Sequence, residues 1–158
     1  MPDTYIAIML QSLEKKEKVL TEITRLNDVQ KDQLERVDCS VDDFDETVEA
    51  KSKLIEQLEY LDSGFEKLYA QVAEELQQNP DSHASEIRKM QDLIRKITDD
   101  SVLIQAQEAR NKRMMTQKFA TVKRQAQSIR MNSKAITGYY KTMDRTRFMD
   151  PQFLETKS

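Results

Sequence analysis

The residues that most often serve as general bases or nucleophiles are scarce in this sequence, which contains one histidine, His83, and one cysteine, Cys39. His83 stands beside Asp81 and Ser82 after an Asn-Pro turn, and no second side chain is placed to orient its ring. We expect a polar residue at a helix start rather than a general base. Cys39 follows Asp38 in an acidic segment, where negative charge disfavours a reactive thiolate. A single cysteine also excludes an internal disulfide.

The sequence also lacks the motifs that bind metal ions or phosphate groups. The acids at 42–46 lack the spacing and the loop glycine of a calcium site. The Glu-x-x-His pair of di-iron bundles is absent. Only two glycines occur in the whole chain, too few for a loop that cradles phosphate. The sequence therefore predicts no catalytic residue, no metal site and no cofactor, and we do not expect an enzyme.

Charge divides the chain into two blocks of opposite sign. Residues 1–109 contain 13 basic and 25 acidic residues, whereas residues 110–147 contain 11 basic residues and one acid. The net charges are −12 and +10. A basic segment joined to an acidic body is typical of a chain that folds against itself or binds another chain, not of a catalytic pocket.

Composition and periodicity predict an all-α fold, an elongated antiparallel bundle or coiled coil of three long helices. Charged residues make up 34% of the chain, with three prolines and no tryptophan. We expect an acidic bundle body over 1–109, with helices at about 3–37, 41–78 and 83–109. The third helix continues as a basic amphipathic arm over 110–147, followed by a tail at 148–158 that we expect to be flexible unless bound. No apolar run could span a membrane, and the start of the chain does not resemble a signal peptide, so we expect a cytoplasmic protein.

The helix faces predict how the body packs. The second helix has the widest apolar face, which indicates contact with two neighbours, and we expect residues 84–104 to pack against it. In the first helix, Lys16, Asn27 and Gln30 interrupt the apolar stripe. They could fix the register of the bundle, but we favour a marginal outer helix. Gly64, in the middle of the second helix, indicates either a close helix crossing, a kink or simple tolerance.

The basic arm, residues 110–147, carries the candidate functional surface. Its first residues belong to a polar waist at 105–113, where the apolar stripe is almost bare. Nucleic-acid binding, membrane-surface binding, folding back onto the body and binding of a partner helix are all open. We favour a partner helix, because flexible methionines adapt to several apolar surfaces. The predicted partner-binding residues are Met115, Phe119, Val122, Ile129, Ile136, Tyr139, Tyr140 and Met143.

Several segments resemble one protein family. The sequence EAKSKLIEQLEYLD at 49–62 is similar to the E-x-K-x-x-L-[IL]-x-x-L-x-x-L segment in the second helix of FlgN-type flagellar export chaperones. The continuation at 63–65, the polar waist at 107–111, the tyrosines at 139–140 and the residues at 147–150 also resemble that family. The arm is more strongly basic here than in many members of that family, and the Gly/Ser-rich tail of those members is not found in this sequence.

This resemblance implies a cytoplasmic, non-enzymatic chaperone of flagellar type III export. It would bind the C-terminal helices of hook–filament junction proteins, keep them export-competent and deliver them to the export apparatus. Binding would fall largely on the apolar face of residues 114–143. No nucleic-acid partner is expected. The alternative is a non-enzymatic coiled-coil scaffold, possibly a homodimer, without an export client. The sequence leaves open the identity of the client and the number of chains that associate.

Overall fold

The structure, a computed structural model, describes the backbone of residues 2–121 and the side chains of residues 3–118. Three long helices follow one another: α1 (Pro2–Glu35), α2 (Val41–Gln78) and α3 (Ala84–Thr121). A short 3₁₀ turn, Pro80–His83, precedes α3. The all-helical bundle predicted from the sequence is confirmed. In the part of the chain that the structure describes, no helix is long and apolar enough to cross a membrane.

Local chemistry sets the start and the end of α2. The Ser40 hydroxyl accepts a hydrogen bond from the Asp43 backbone N–H at 3.1 Å, which satisfies one of the unpaired donors of the first turn. Asp42 and Asp43 place negative charge in that turn, where the helix dipole favours it. At the other end the Asn79 N–H still reaches the Glu75 carbonyl, but Pro80 cannot continue the helical hydrogen bonds.

Helix α1 lies at the centre of the packing rather than outside it. Both α2 and α3 approach α1 closely along their lengths, and they approach each other less closely. Lys16, Asn27 and Gln30 are 7%, 0% and 5% exposed. The prediction of a marginal outer first helix is therefore wrong, because its polar residues are buried between neighbours. The closest partner of α3 is likewise α1, not α2 as expected from the wide face of α2.

Buried apolar residues form two groups. The larger group, here called the main core, draws on all three helices between Ile6 and Ile23, between Ile55 and Leu76, and between Met90 and Ile104. The smaller group, here called the distal cluster, lies where α1 ends, α2 begins and α3 continues toward Thr121. The chain thus has one extended seam that is interrupted before its distal end.

Gly64 lies in an open position on α2. A Cβ atom built there would meet nothing within 4 Å. No neighbouring helix therefore needs the missing side chain, and the close helix crossing considered from the sequence is wrong.

Candidate partner-binding site

A buried ion pair joins α2 to α3 just before the distal cluster. Lys51 Nζ lies 2.6 Å from Glu108 Oε1, and the two side chains are 0% and 6% exposed. Lys51 Nζ also donates to Gln30 Oε1 of α1 at 2.6 Å. Burial lowers the pKa of Lys51 to about 8, although Glu108 opposes that shift. One lysine therefore holds all three helices at the same level of the bundle.

Amide side chains extend this level between α1 and α3. Asn27 Nδ2 donates to Gln107 Oε1 at 3.0 Å, and Gln107 Nε2 donates to the Thr24 carbonyl at 3.3 Å. Asn111 Nδ2 donates to the Asn27 carbonyl at 2.9 Å. Bonds of this kind have directions, so they fix the register of the helices more strictly than apolar contacts do. We call the buried group Asn27, Gln30, Lys51, Gln107, Glu108 and Asn111 the polar layer.

The distal cluster lies beyond the polar layer. Phe44, Val48 and Met115 are its buried members, at 8%, 5% and 6% exposure, and the half-buried Leu34 packs against them. No residue of the main core belongs to this group, because the polar layer separates the two. Few apolar atoms therefore hold the distal end of the bundle together.

A lysine of α3 covers the carboxyl end of α1. Lys118 Nζ donates to the carbonyl oxygens of Arg36 at 3.0 Å and of Gln33 at 3.4 Å. These carbonyls lie at a helix end, where backbone acceptors lack partners within the helix and cations are favoured. Beyond the polar layer, the described part of α3 is thus held to the body by the apolar contact of Met115 and the cationic contact of Lys118.

The structure describes the side chain of only one of the eight predicted partner-binding residues. Met115 is buried in the distal cluster. A contact between Met115 and a partner would therefore require this cluster to open. The Phe119 backbone belongs to α3, but its side chain lies outside the described part. The remaining six lie outside the described residues altogether: Val122, Ile129, Ile136, Tyr139, Tyr140 and Met143.

Sequence reasoning missed which polar residues pair across helices. Lys16 interrupts the apolar stripe of α1 and Asp62 that of α2, and the two interruptions face each other: Lys16 Nζ lies 2.8 Å from Asp62 Oδ1, with both side chains buried. Burial raises the pKa of Asp62 above its usual value, and the neighbouring Lys16 offsets that rise only in part. Opposite charges at stripe positions of neighbouring helices are the signal that could have revealed these pairs.

His83 has a structural position at the other end of the bundle. Its ring is buried, with Nε2 3.3 Å from Glu75 Oε2 and Nδ1 3.7 Å from Asp3 Oδ1. Hydrogen bonds from Asn79 and then from His83 lower the pKa of Glu75. Histidine therefore connects the start of α1, the end of α2 and the turn before α3. Among residues 2–121, no group of three or more His, Cys, Asp or Glu could hold a metal ion.

Comparison with known proteins gives one match. The model of the FlgN protein family matches residues 1–144, which include the body and nearly all of the basic arm. No curated protein and no solved structure matched the chain. The family match covers well over half of the sequence, and the three-helix bundle agrees with it. The chain therefore belongs to the FlgN family of flagellar export chaperones, which is not an enzyme family.

Proposed function

We propose that this protein is a cytoplasmic chaperone of flagellar type III export that binds the C-terminal helices of hook–filament junction proteins. The observation that carries the proposal is the family match, because it extends through residue 144 and so includes the basic arm. The client would remain export-competent on the chaperone until the export apparatus accepts it.

The surface of the described body supports binding by the arm rather than by the body. Large exposed apolar side chains are few in the described part: Ile8, Val37, Tyr60, Val102 and Leu103. They are distributed over three helices and one loop. A stable helix–helix contact needs a continuous apolar stripe. Such a stripe is not found among these five residues.

The sequence of the arm has the stripe that the body lacks. Met115, Val122, Ile129, Ile136 and Met143 recur at every seventh position, the repeat of a helix that packs against another helix. The surrounding segment 110–147 has a net charge of +10. A client helix with an apolar face and acidic flanks would complement both features. Burial of its apolar face would supply about 25 cal/mol per Å², less the free energy lost in ordering both chains.

Binding of synthetic C-terminal peptides of junction proteins to the full chain tests the proposal. Fluorescence anisotropy should detect binding by the wild type. Ile129→Glu places a charge on the stripe and should weaken binding more than tenfold. Gln127→Glu is the matched control, because it adds the same charge two residues away, about 200° around a helix, and should change affinity less than twofold.

Two results would contradict the proposal. One is the absence of binding to any junction-protein peptide; a tight peptide-free dimer in light scattering would then favour the coiled-coil scaffold. The other is equal binding by Ile129→Glu and Gln127→Glu, which would place the client elsewhere on the chain.

A further inference from the structure

The distal cluster has the properties of a contact that can open locally. It contains three buried apolar residues, and the polar layer isolates it from the main core with its 16 buried members. Regions with few buried apolar contacts open at a lower free energy than the whole domain. Opening of the distal cluster would leave the bonds of the polar layer and the main core intact.

Met115 dominates the attachment of α3 beyond the polar layer. Within residues 112–118 it is the one buried side chain; the others are exposed or half-buried. Lys118 adds its bonds to the carbonyls at the end of α1, where a cation at an exposed helix end contributes a modest stabilisation. Release of Met115 from Phe44 and Val48, together with loss of these lysine bonds, would free the last turns of α3.

Met115 is also the first member of the apolar stripe of the arm. It stands seven residues before Val122 in the same repeat, and α3 continues without interruption through Thr121. A client helix that follows the stripe toward the body would meet Met115 next. In the free protein this residue is already covered by the body.

We propose that Phe44 and Val48 act as an autoinhibitory latch that competes with the client helix for Met115. This inference rests on the proposed function, since it places the inner end of the client site at Met115. The client binds the full stripe only when the distal cluster is open. Its apparent affinity is then the intrinsic affinity reduced by the fraction of molecules in the open state.

A matched pair of valine substitutions on α2 tests the latch. Val48→Ala loosens the distal cluster, whereas Val72→Ala removes the same atoms from the main core; Val48 is 5% and Val72 1% exposed. Loss of two buried methyl groups shifts a local equilibrium by roughly tenfold. We expect Val48→Ala to bind junction-protein peptides about three to ten times more tightly than the wild type. Val72→Ala should leave the affinity unchanged.

Hydrogen exchange on the same full-length variants gives a readout that needs no client. Val48→Ala should speed exchange of the amides at 112–118 and leave those at 90–104 as in the wild type. Val72→Ala should not show this pattern. If Val48→Ala fails to fold by circular dichroism, Phe44→Leu replaces it, because Phe44 belongs to the same cluster.

The outcomes separate the latch from the proposed function. Unchanged or weaker peptide binding by a folded Val48→Ala variant overturns the latch while the function stands. If the wild type binds no peptide, the proposed function fails, and the latch that rests on it fails too. Equal acceleration at 112–118 and 90–104 overturns local opening.

Discussion

Removal of Lys51 should be among the most destabilising single changes in the described bundle. Its ammonium group lies 2.6 Å from both Glu108 Oε1 and Gln30 Oε1, and its side chain is 0% exposed. Lys51→Met would leave the buried Glu108 carboxylate without this cation. Loss of one partner of a buried ion pair costs about 3–5 kcal/mol. Since the free energy of unfolding of a domain is about 5–15 kcal/mol, that loss is at least a fifth of a typical total.

Removal of both charges should restore most of this stability. Burial lowers the pKa of Lys51 to about 8 despite Glu108, which indicates that desolvation outweighs the attraction within the pair. In Lys51→Met/Glu108→Leu neither charge is buried, and Gln30 Oε1 keeps its 3.4 Å bond from Asn111 Nδ2. The free energy of unfolding of the double variant should therefore lie within about 1 kcal/mol of the wild-type value or above it.

Urea unfolding followed by circular dichroism at pH 7 measures these differences. Lys53→Met is the control, because Lys53 lies 3.9 Å from Glu49 in a pair that is 75% and 72% exposed. It should change the free energy of unfolding by less than about 0.5 kcal/mol. A loss of less than about 1 kcal/mol in Lys51→Met, or a double variant as unstable as the single one, would refute a dominant role for the buried charge.

Two further substitutions should stabilise the protein. Burial, together with the neighbouring Glu17 carboxyl, raises the pKa of Asp100 to about 6. The folded state then binds more protons than the unfolded state between about pH 4 and pH 6, so stability falls as the pH rises through that window. Asp100→Asn should raise the free energy of unfolding at pH 7 by about 1 kcal/mol, a figure discounted for partial exposure, and should have no effect below about pH 4; parallel pH profiles of the two proteins would contradict this. Gly64→Ala should add about 1 kcal/mol and raise Tm, because an added Cβ meets nothing within 4 Å; a lower Tm would show that the position needs glycine.

The bounds of α2 could be predicted because both of its ends have a local chemical cause, whereas α1 ends at Glu35, two residues before the expected end at 37. Ser40 caps the start of α2, and Pro80 ends it. The expected bounds 41–78 coincide with those of α2. A local rule sufficed in each case, since a capping side chain or a missing N–H acts within one turn. The 3₁₀ turn at Pro80–His83 was not predicted, and it moves the start of α3 by one residue.

The arrangement of the helices could not be predicted in the same way. Periodicity identifies which face of a helix is buried, but not which helix it faces. The polar interruptions of α1 fit a weak outer helix as well as a central one. Only the partners Asp62 for Lys16 and Lys51 for Gln30 decide between these interpretations. These partners are 46 and 21 residues away in the sequence.

For Met115, too, the sequence identifies an apolar contact position but not the partner. Its place in a seven-residue repeat predicts an apolar contact, but the repeat is satisfied equally by Phe44 and Val48 or by a client helix. The described structure places it on the body, while the repeat continues into the arm. A residue that belongs to two stripes at once can exchange one apolar partner for another at a small net change in buried area.

The polar layer makes such an exchange compatible with a stable fold. If apolar packing continued without interruption from the main core to Met115, opening at the distal end would expose neighbouring core residues in turn. The level at Asn111 instead ends the main core with directed hydrogen bonds between α1 and α3. Separation of the helices at the polar layer requires more free energy than opening of the distal cluster, because buried polar groups then lose strong hydrogen-bond partners. The buried polar residues therefore limit how far an opening that starts at the arm can spread into the body.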